Sequence, residues 1–157
     1  MLDVLFVGTR NSVRSILAES ILRSSGKGRF RAFSAGCAPA AEVNSEVLAF
    51  LGERHLPTEG LHPKSVEQFV GDAPRFAFVI ALSQPAAARI AAVRWSGDPV
   101  VAHWPLDEED GEQDSAWAIR DAFWVLSRRI KIFANLPHGR ASRRSLENKI
   151  LALESWQ

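Results

Sequence analysis

One cysteine, Cys37, in a chain of 157 residues excludes an intramolecular disulfide and any dithiol relay within the chain. A formal net charge of +1 leaves no long-range field for bulk binding to nucleic acid or to an anionic membrane, so neither partner is expected, although local patches stay open. No apolar run approaches the length of a membrane span, and the N-terminus opens with a strand pattern in place of a signal peptide, which predicts a cytoplasmic protein. Internal repeats and low-complexity tracts are missing too. His55 and His62 lack companions at metal-ligand spacing, and nothing in the sequence asks for a metal or a cofactor. What is present is ordinary: 46% apolar and 24% charged residues, enough for one soluble domain with a sizeable core.

The informative stretch is Leu2 to Leu22, LDVLFVGTRNSVRSILAESIL. Leu5, Phe6 and Val7 close an apolar run without helical period, Gly8 to Asn11 is small and polar, and Ile16, Leu17, Ile21 and Leu22 recur at helical spacing. The pattern reads as strand, tight loop, helix. Backbone N–H groups of such a loop and of the first helical turn face one spot, where the helix dipole favours negative charge. Arg14 falls in that turn, and a planar guanidinium grips two oxygens of a tetrahedral anion at once. Gly8, Thr9, Arg10, Asn11, Ser12, Val13, Arg14 and Ser15 are therefore the candidate anion-binding residues, and together they read as an oxyanion cradle.

VLFVGTRNSVRSILAE resembles the low-molecular-weight protein tyrosine phosphatases and the arsenate reductases that share their fold, whose loop reads Cys-x-x-x-x-x-Arg-Ser between the first strand and the first helix. Asn11, Ser12, Arg14 and Ser15 match that loop, but its nucleophilic cysteine falls on Gly8, which has no side chain to attack with. Further matches extend the resemblance over about Leu2 to Leu136. SAGCAP, Ser34 to Pro39, corresponds to the segment that ends the family's second strand near the loop, which brings Cys37 toward its mouth; as a thiol with nothing nearby to lower its pKa, Cys37 reads as unreactive. Ser83 stands where the reductases carry a redox-partner cysteine, so a second part of that chemistry is missing. The family's general-acid aspartate falls on Glu108 by direct counting from His103 and Trp104, or on Asp107 after a one-residue slip; four consecutive acids also read as a solvated loop.

In chain order the pattern predicts a helix over Ser12–Ser25 with Ser12 as N-cap, a strand over Arg29–Phe33, and a helix over Asn44–Arg54 capped by Asn44. A short helix follows Ser65, a buried strand spans Phe76–Leu82, and an Ala-rich helix spans Gln84 to about Ala92. Pro99–Trp104 reads as another buried strand, and Gln113–Asn135 as a long helix with Trp117, Ile119, Phe123, Trp124, Leu126, Ile130 and Phe133 on its core face. Alternation of strands and helices predicts an α/β, three-layer, flavodoxin-like fold: a four-stranded parallel sheet, order 2-1-3-4, with the loop at the carboxyl end of the first strand. Residues 1–137 form the phosphatase-like domain, and 138–157 a C-terminal helical extension beyond the resemblance, which packs on the sheet edge or serves a partner or a homodimer.

The resemblance without its nucleophile implies a catalytically inactive member that retains phosphate, arsenate, a sulfate-like oxyanion or a phosphorylated protein. A thiolate under the anion would repel it by up to about 4 kcal/mol at about 4 Å and an effective dielectric near 20; Gly8 removes that repulsion while giving the loop more backbone freedom. The alternatives are an enzyme of phosphatase or arsenate reductase type working through Asp107, Glu108 or Cys37, and an interaction module with a vestigial site.

Overall fold

The computed structural model describes residues 1–71, 74–106, 115–137 and 143–154. Four parallel strands, β1 (Leu2–Gly8), β2 (Phe30–Gly36), β3 (Phe78–Ala81) and β4 (Val100–His103), form one sheet in the order β2-β1-β3-β4. Gly8 lies opposite Gly36, Val7 opposite Ala81, and Ala81 opposite His103, so the strands finish together at one edge. The expected sheet and order are present.

Side chains alternate along each strand and divide the core in two. Val4, Phe6, Phe78, Ile80, Val100, Ala102 and Trp104 face one side, against α1 (Arg14–Ser25), α2 (Ser45–Glu53), α4 (Ala116–Ala134) and α5 (Arg143–Ala152). Leu5, Val7, Val79 and Ala81 face the other, against α3 (Gln84–Ala91) and a 3-10 turn at Val66–Phe69. The helix that follows β1 and the helix that follows β3 thus cover opposite faces, and between them the carboxyl edge of the sheet opens at the β1/β3 crevice.

Helix ends follow their local chemistry. Asn44 caps α2 by accepting from the N–H groups of Glu46 and Val47, and Ser83 caps α3 by accepting from Ala86 N at 3.2 Å. Ser12 does not cap α1: the helix starts at Arg14 after Val13, with no side-chain cap. Ser12 is instead held through its carbonyl, which accepts from Asn44 N at 3.2 Å. The alternating pattern alone stops the second strand at Phe33; Ser34, Ala35 and Gly36 complete β2, as the resemblance implies, by pairing with Phe6, Val7 and Gly8.

Two expectations of burial need correction. Val101, in the middle of a strand expected to be covered on both faces, is 41% exposed, because β4 is the edge strand and α3 leaves that position open. Trp117 and Trp124, expected on the core face of α4, are 71% and 54% exposed. Ile119, Ala122, Phe123, Leu126, Ile130 and Phe133 already fill the face that α4 turns inward.

The last helix packs within the chain. Leu146, Ile150 and Leu153 are buried in the larger core. The indole of Trp104, itself fully buried, donates to Ile150 O at 3.2 Å, and Arg129 donates to Glu154 O at 3.2 Å and to Pro105 O at 3.1 Å. Two buried donors thus bind carbonyls at and just beyond the C-terminal end of α5, Ile150 O accepting from Leu153 N at 3.2 Å as well. Burial holds the Arg129 guanidinium below the usual arginine range, against the opposing pull of Glu154.

Candidate functional site

The loop from Gly8 to Val13 is shaped by where its carbonyls go. Cys37 N donates to Gly8 O at 3.1 Å, Ala38 N to Thr9 O at 2.8 Å, and Ala40 N to Arg10 O at 2.8 Å, so the chain after β2 continues the sheet ladder along the loop. With Asn44 N on Ser12 O, four peptide oxygens point toward residues 37–44. A trans peptide sets its N–H opposite its C=O. The N–H groups of Thr9, Arg10, Asn11 and Val13 therefore turn the other way, into the loop, and among the described residues none of the four donates to the protein. This is a nest of backbone donors at the mouth of α1, the arrangement that favours an anion.

Asn11 holds the nest in shape. Its φ of 52° is left-handed, a region that asparagine tolerates better than other non-glycine residues. Its buried amide is fully used: Nδ2 donates to Ser15 Oγ at 2.8 Å and to Ser34 Oγ at 2.9 Å, while Oδ1 accepts from Lys64 N at 2.8 Å. Ser34 donates onward to Glu19 Oε1 at 2.5 Å, and Glu19, 5% exposed, also pairs with Arg23 and lies 3.9 Å from Lys64 Nζ. Burial lowers the pKa of Lys64, Glu19 opposes that shift and Arg23 adds to it. A paired polar chain thus runs from Lys64 to the floor of the loop.

Thr9 and Ser83 join the loop to β3, their hydroxyl oxygens 2.9 Å apart. Arg14 is 8% exposed, and its guanidinium reaches Leu82 O at 3.5 Å, at the carboxyl end of β3. Arg10 is exposed, Thr9 and Ser12 are half-buried, and Val13 and Ser15 are buried. The eight expected residues therefore lie on one loop and first turn, whereas Asp107 and Glu108 lie outside the described residues. Glu19 closes the run VLFVGTRNSVRSILAE without a local cue to its role, and Lys64 sits in no motif; only tertiary contact brings Lys64 to Asn11. Among the described residues no group of three or more His, Cys, Asp or Glu could hold a metal, and no helix is long and apolar enough to cross a membrane.

The glycines of the site differ in what they allow. A Cβ at Gly36 would come within 2.9 Å of Thr9 O and 3.0 Å of Asn11 Cβ, so only glycine lets β2 and the loop approach this closely. A Cβ at Gly8 would meet only the Ser15 side chain, Oγ at 3.2 Å and Cβ at 3.4 Å, apart from a distant Ser15 N at 4.0 Å. The fold does not require a glycine at position 8. Cys37 is half-buried, its Sγ 3.9 Å from Thr9 O. It therefore lies on the carbonyl side of the Thr9–Arg10 peptide, behind the donors rather than among them.

Sheet order, crevice and donor-lined loop define a class of small parallel α/β proteins with an anion-type loop after the first strand. Residues 3–104 match the low molecular weight phosphotyrosine protein phosphatase family, and the chain belongs to it. Solved structures of similar fold include an arsenate reductase from Archaeoglobus fulgidus, 24% identical with a TM-score of 0.67, covering 83% of this chain and 98% of that one. The thioredoxin-dependent arsenate reductase of Corynebacterium glutamicum is 23% identical with a TM-score of 0.66; 84% of this chain matches, spanning 59% of that protein's length. The tyrosine phosphatase Wzb of Escherichia coli K30, in complex with sulphate, is 18% identical with a TM-score of 0.65, covering 85% and 97% of the two chains. At these identities the likeness is one of fold. No curated protein matches the chain.

Proposed function

We propose that this protein is a non-catalytic member of its family that holds a tetrahedral oxyanion, free or carried on a phosphorylated protein side chain, in the loop of residues 8–15. The observation that carries this reading is the outward anchoring of four loop carbonyls, which leaves the N–H groups of Thr9, Arg10, Asn11 and Val13 facing inward. Hydrogen bonds from such donors to a charged acceptor contribute about 1.5–3 kcal/mol each. Arg14, at the start of α1, adds a guanidinium of fixed charge beside them. The sulphate complex of the E. coli tyrosine phosphatase Wzb supports an oxyanion as the ligand class.

Turnover needs a nucleophile, and position 8 offers none. Cys37 stands behind the Thr9–Arg10 peptide and would have to cross it to reach an anion held by the N–H groups. Asp107 or Glu108, as a general acid, would have no covalent intermediate to serve. Titration calorimetry with phosphate and arsenate tests the reading directly. Binding that is lost in Arg14→Ala, without hydrolysis of an aryl phosphate, supports it; absence of binding at millimolar anion, or turnover that depends on Asp107, Glu108 or Cys37, overturns it.

A further inference from the structure

We propose that α4 is the contact between two copies of this chain, an antiparallel helix pair about a two-fold axis in which Asp121 of each copy meets Arg128 of the other. Trp117, Asp121, Trp124 and Arg128 are separated by four, three and four residues, which at 3.6 residues per turn sets them along one line of the helix. All four are exposed, the tryptophans at 71% and 54%. Two large aromatics held out of the core on one line are not needed by the fold, whose inward face on α4 is complete without them.

The charges on that line select the occupant. A surface that meets its own copy about a two-fold axis must be complementary to itself. With the axis between residues 124 and 125, position 121 of one helix lies opposite 128 of the other, so an acid meets a base twice. Among the described residues neither Asp121 nor Arg128 has an ion-pair partner within the chain. An acidic partner would meet Asp121 with the wrong sign and a basic one would meet Arg128 with the wrong sign, whereas a second copy satisfies both. In the same register Trp124 lies next to its symmetry mate at the axis, and Trp117 lies over the exposed turn around Lys131 of the other helix.

The apolar area extends beyond the helix. The Trp124 ring packs edge-on against Phe123 at 5.5 Å, Phe123 against Phe50 of α2 at 5.0 Å, and the Arg54 guanidinium lies 3.7 Å over the Phe50 ring. Trp124 therefore stands on a rigid aromatic base with an arginine at its rim, a composition enriched at protein contacts.

Sedimentation equilibrium of the full chain over a wide concentration range tests the proposal, with circular dichroism as the folding control. The wild type dimerises; Trp124→Glu is monomeric and folded. Asp121→Arg and Arg128→Asp each weaken association at least about tenfold through like-charge contact, and the double variant D121R/R128D recovers it, an outcome that general damage to the surface would not give. A wild type that stays monomeric at submillimolar concentration overturns the proposal, as does a dimer indifferent to Trp124→Glu, or a double variant no better than either single one.

Discussion

Lys64 donates its backbone N–H to Asn11 Oδ1 at 2.8 Å, while its own ammonium lies 3.9 Å from Glu19 on the helix that follows the loop. One residue from a distant turn thus fixes both the residue that bends the loop and the buried acid behind it. Asn11 is the point at which that arrangement is most exposed to substitution. Asn11→Ala loses three hydrogen bonds and keeps a left-handed φ that alanine disfavours, and is expected to cost about 2–4 kcal/mol in urea unfolding. Asn11→Gly relieves the backbone but not the bonds, and should be the milder of the two. Equal losses in both would show that the backbone conformation contributes nothing.

Lys64 should be visible in the pH dependence of stability. Its pKa in the folded chain is lowered from 10.5 by burial. Between that lowered value and 10.5 the unfolded chain binds more protons than the folded one, so stability rises with pH across this window and is lost as pH falls back through the folded pKa. The unfolding free energy of the wild type minus that of Lys64→Met should therefore increase as urea titrations move from neutral pH toward 10.5. A flat difference would mean that the ammonium is solvated.

Position 8 and position 36 should respond oppositely to added volume. Gly36→Ala drives a Cβ against backbone atoms of the loop and should cost about 1–3 kcal/mol or more. At Gly8→Cys the new Cβ presses on the Ser15 side chain, Oγ at 3.2 Å, and not on backbone, so the variant should remain within about 1 kcal/mol of the wild type by the same measurement. The new thiol should ionise more readily than a free cysteine, read from the pH dependence of alkylation, because the loop donors favour its charge. As it ionises, phosphate affinity should fall. An unchanged affinity across that titration would place the anion elsewhere.

Ser83 holds two links at once, to Thr9 and to the first turn of α3. Ser83→Ala should cost about 1–2 kcal/mol, and Thr9→Val less, since it leaves the helix cap intact. The double variant should be less destabilised than the sum of the two singles, because both remove the same hydroxyl contact. Strict additivity would show that the contact is energetically silent.

Much of this protein is legible in its sequence because its signals are local. The apolar run before Gly8, the helical spacing after Ser12, the Asn44 cap and the Ser83 strand end each declare themselves within a few residues. The misreadings have one source, the neighbour that sequence does not show. Ser12 has the chemistry of a cap, but the turn it would cap is open toward the loop. Val101 has the pattern of a covered strand residue, but β4 lies at the edge. Trp117 and Trp124 raise the apolar content of α4, yet at 100° per residue they fall outside the stripe set by Ile119, Phe123, Leu126 and Ile130. Lys64 carries no signal, since its role begins only when two distant segments touch.

The close fit beside Ser15 bears on how readily this loop could change its chemistry. Two of the four glycine codons become cysteine codons by one base change, and the Cβ so added would ask only the Ser15 side chain to give. An exchange at this position is thus opposed by one side chain and not by the course of the backbone, so the loop could take up a thiol without being rebuilt.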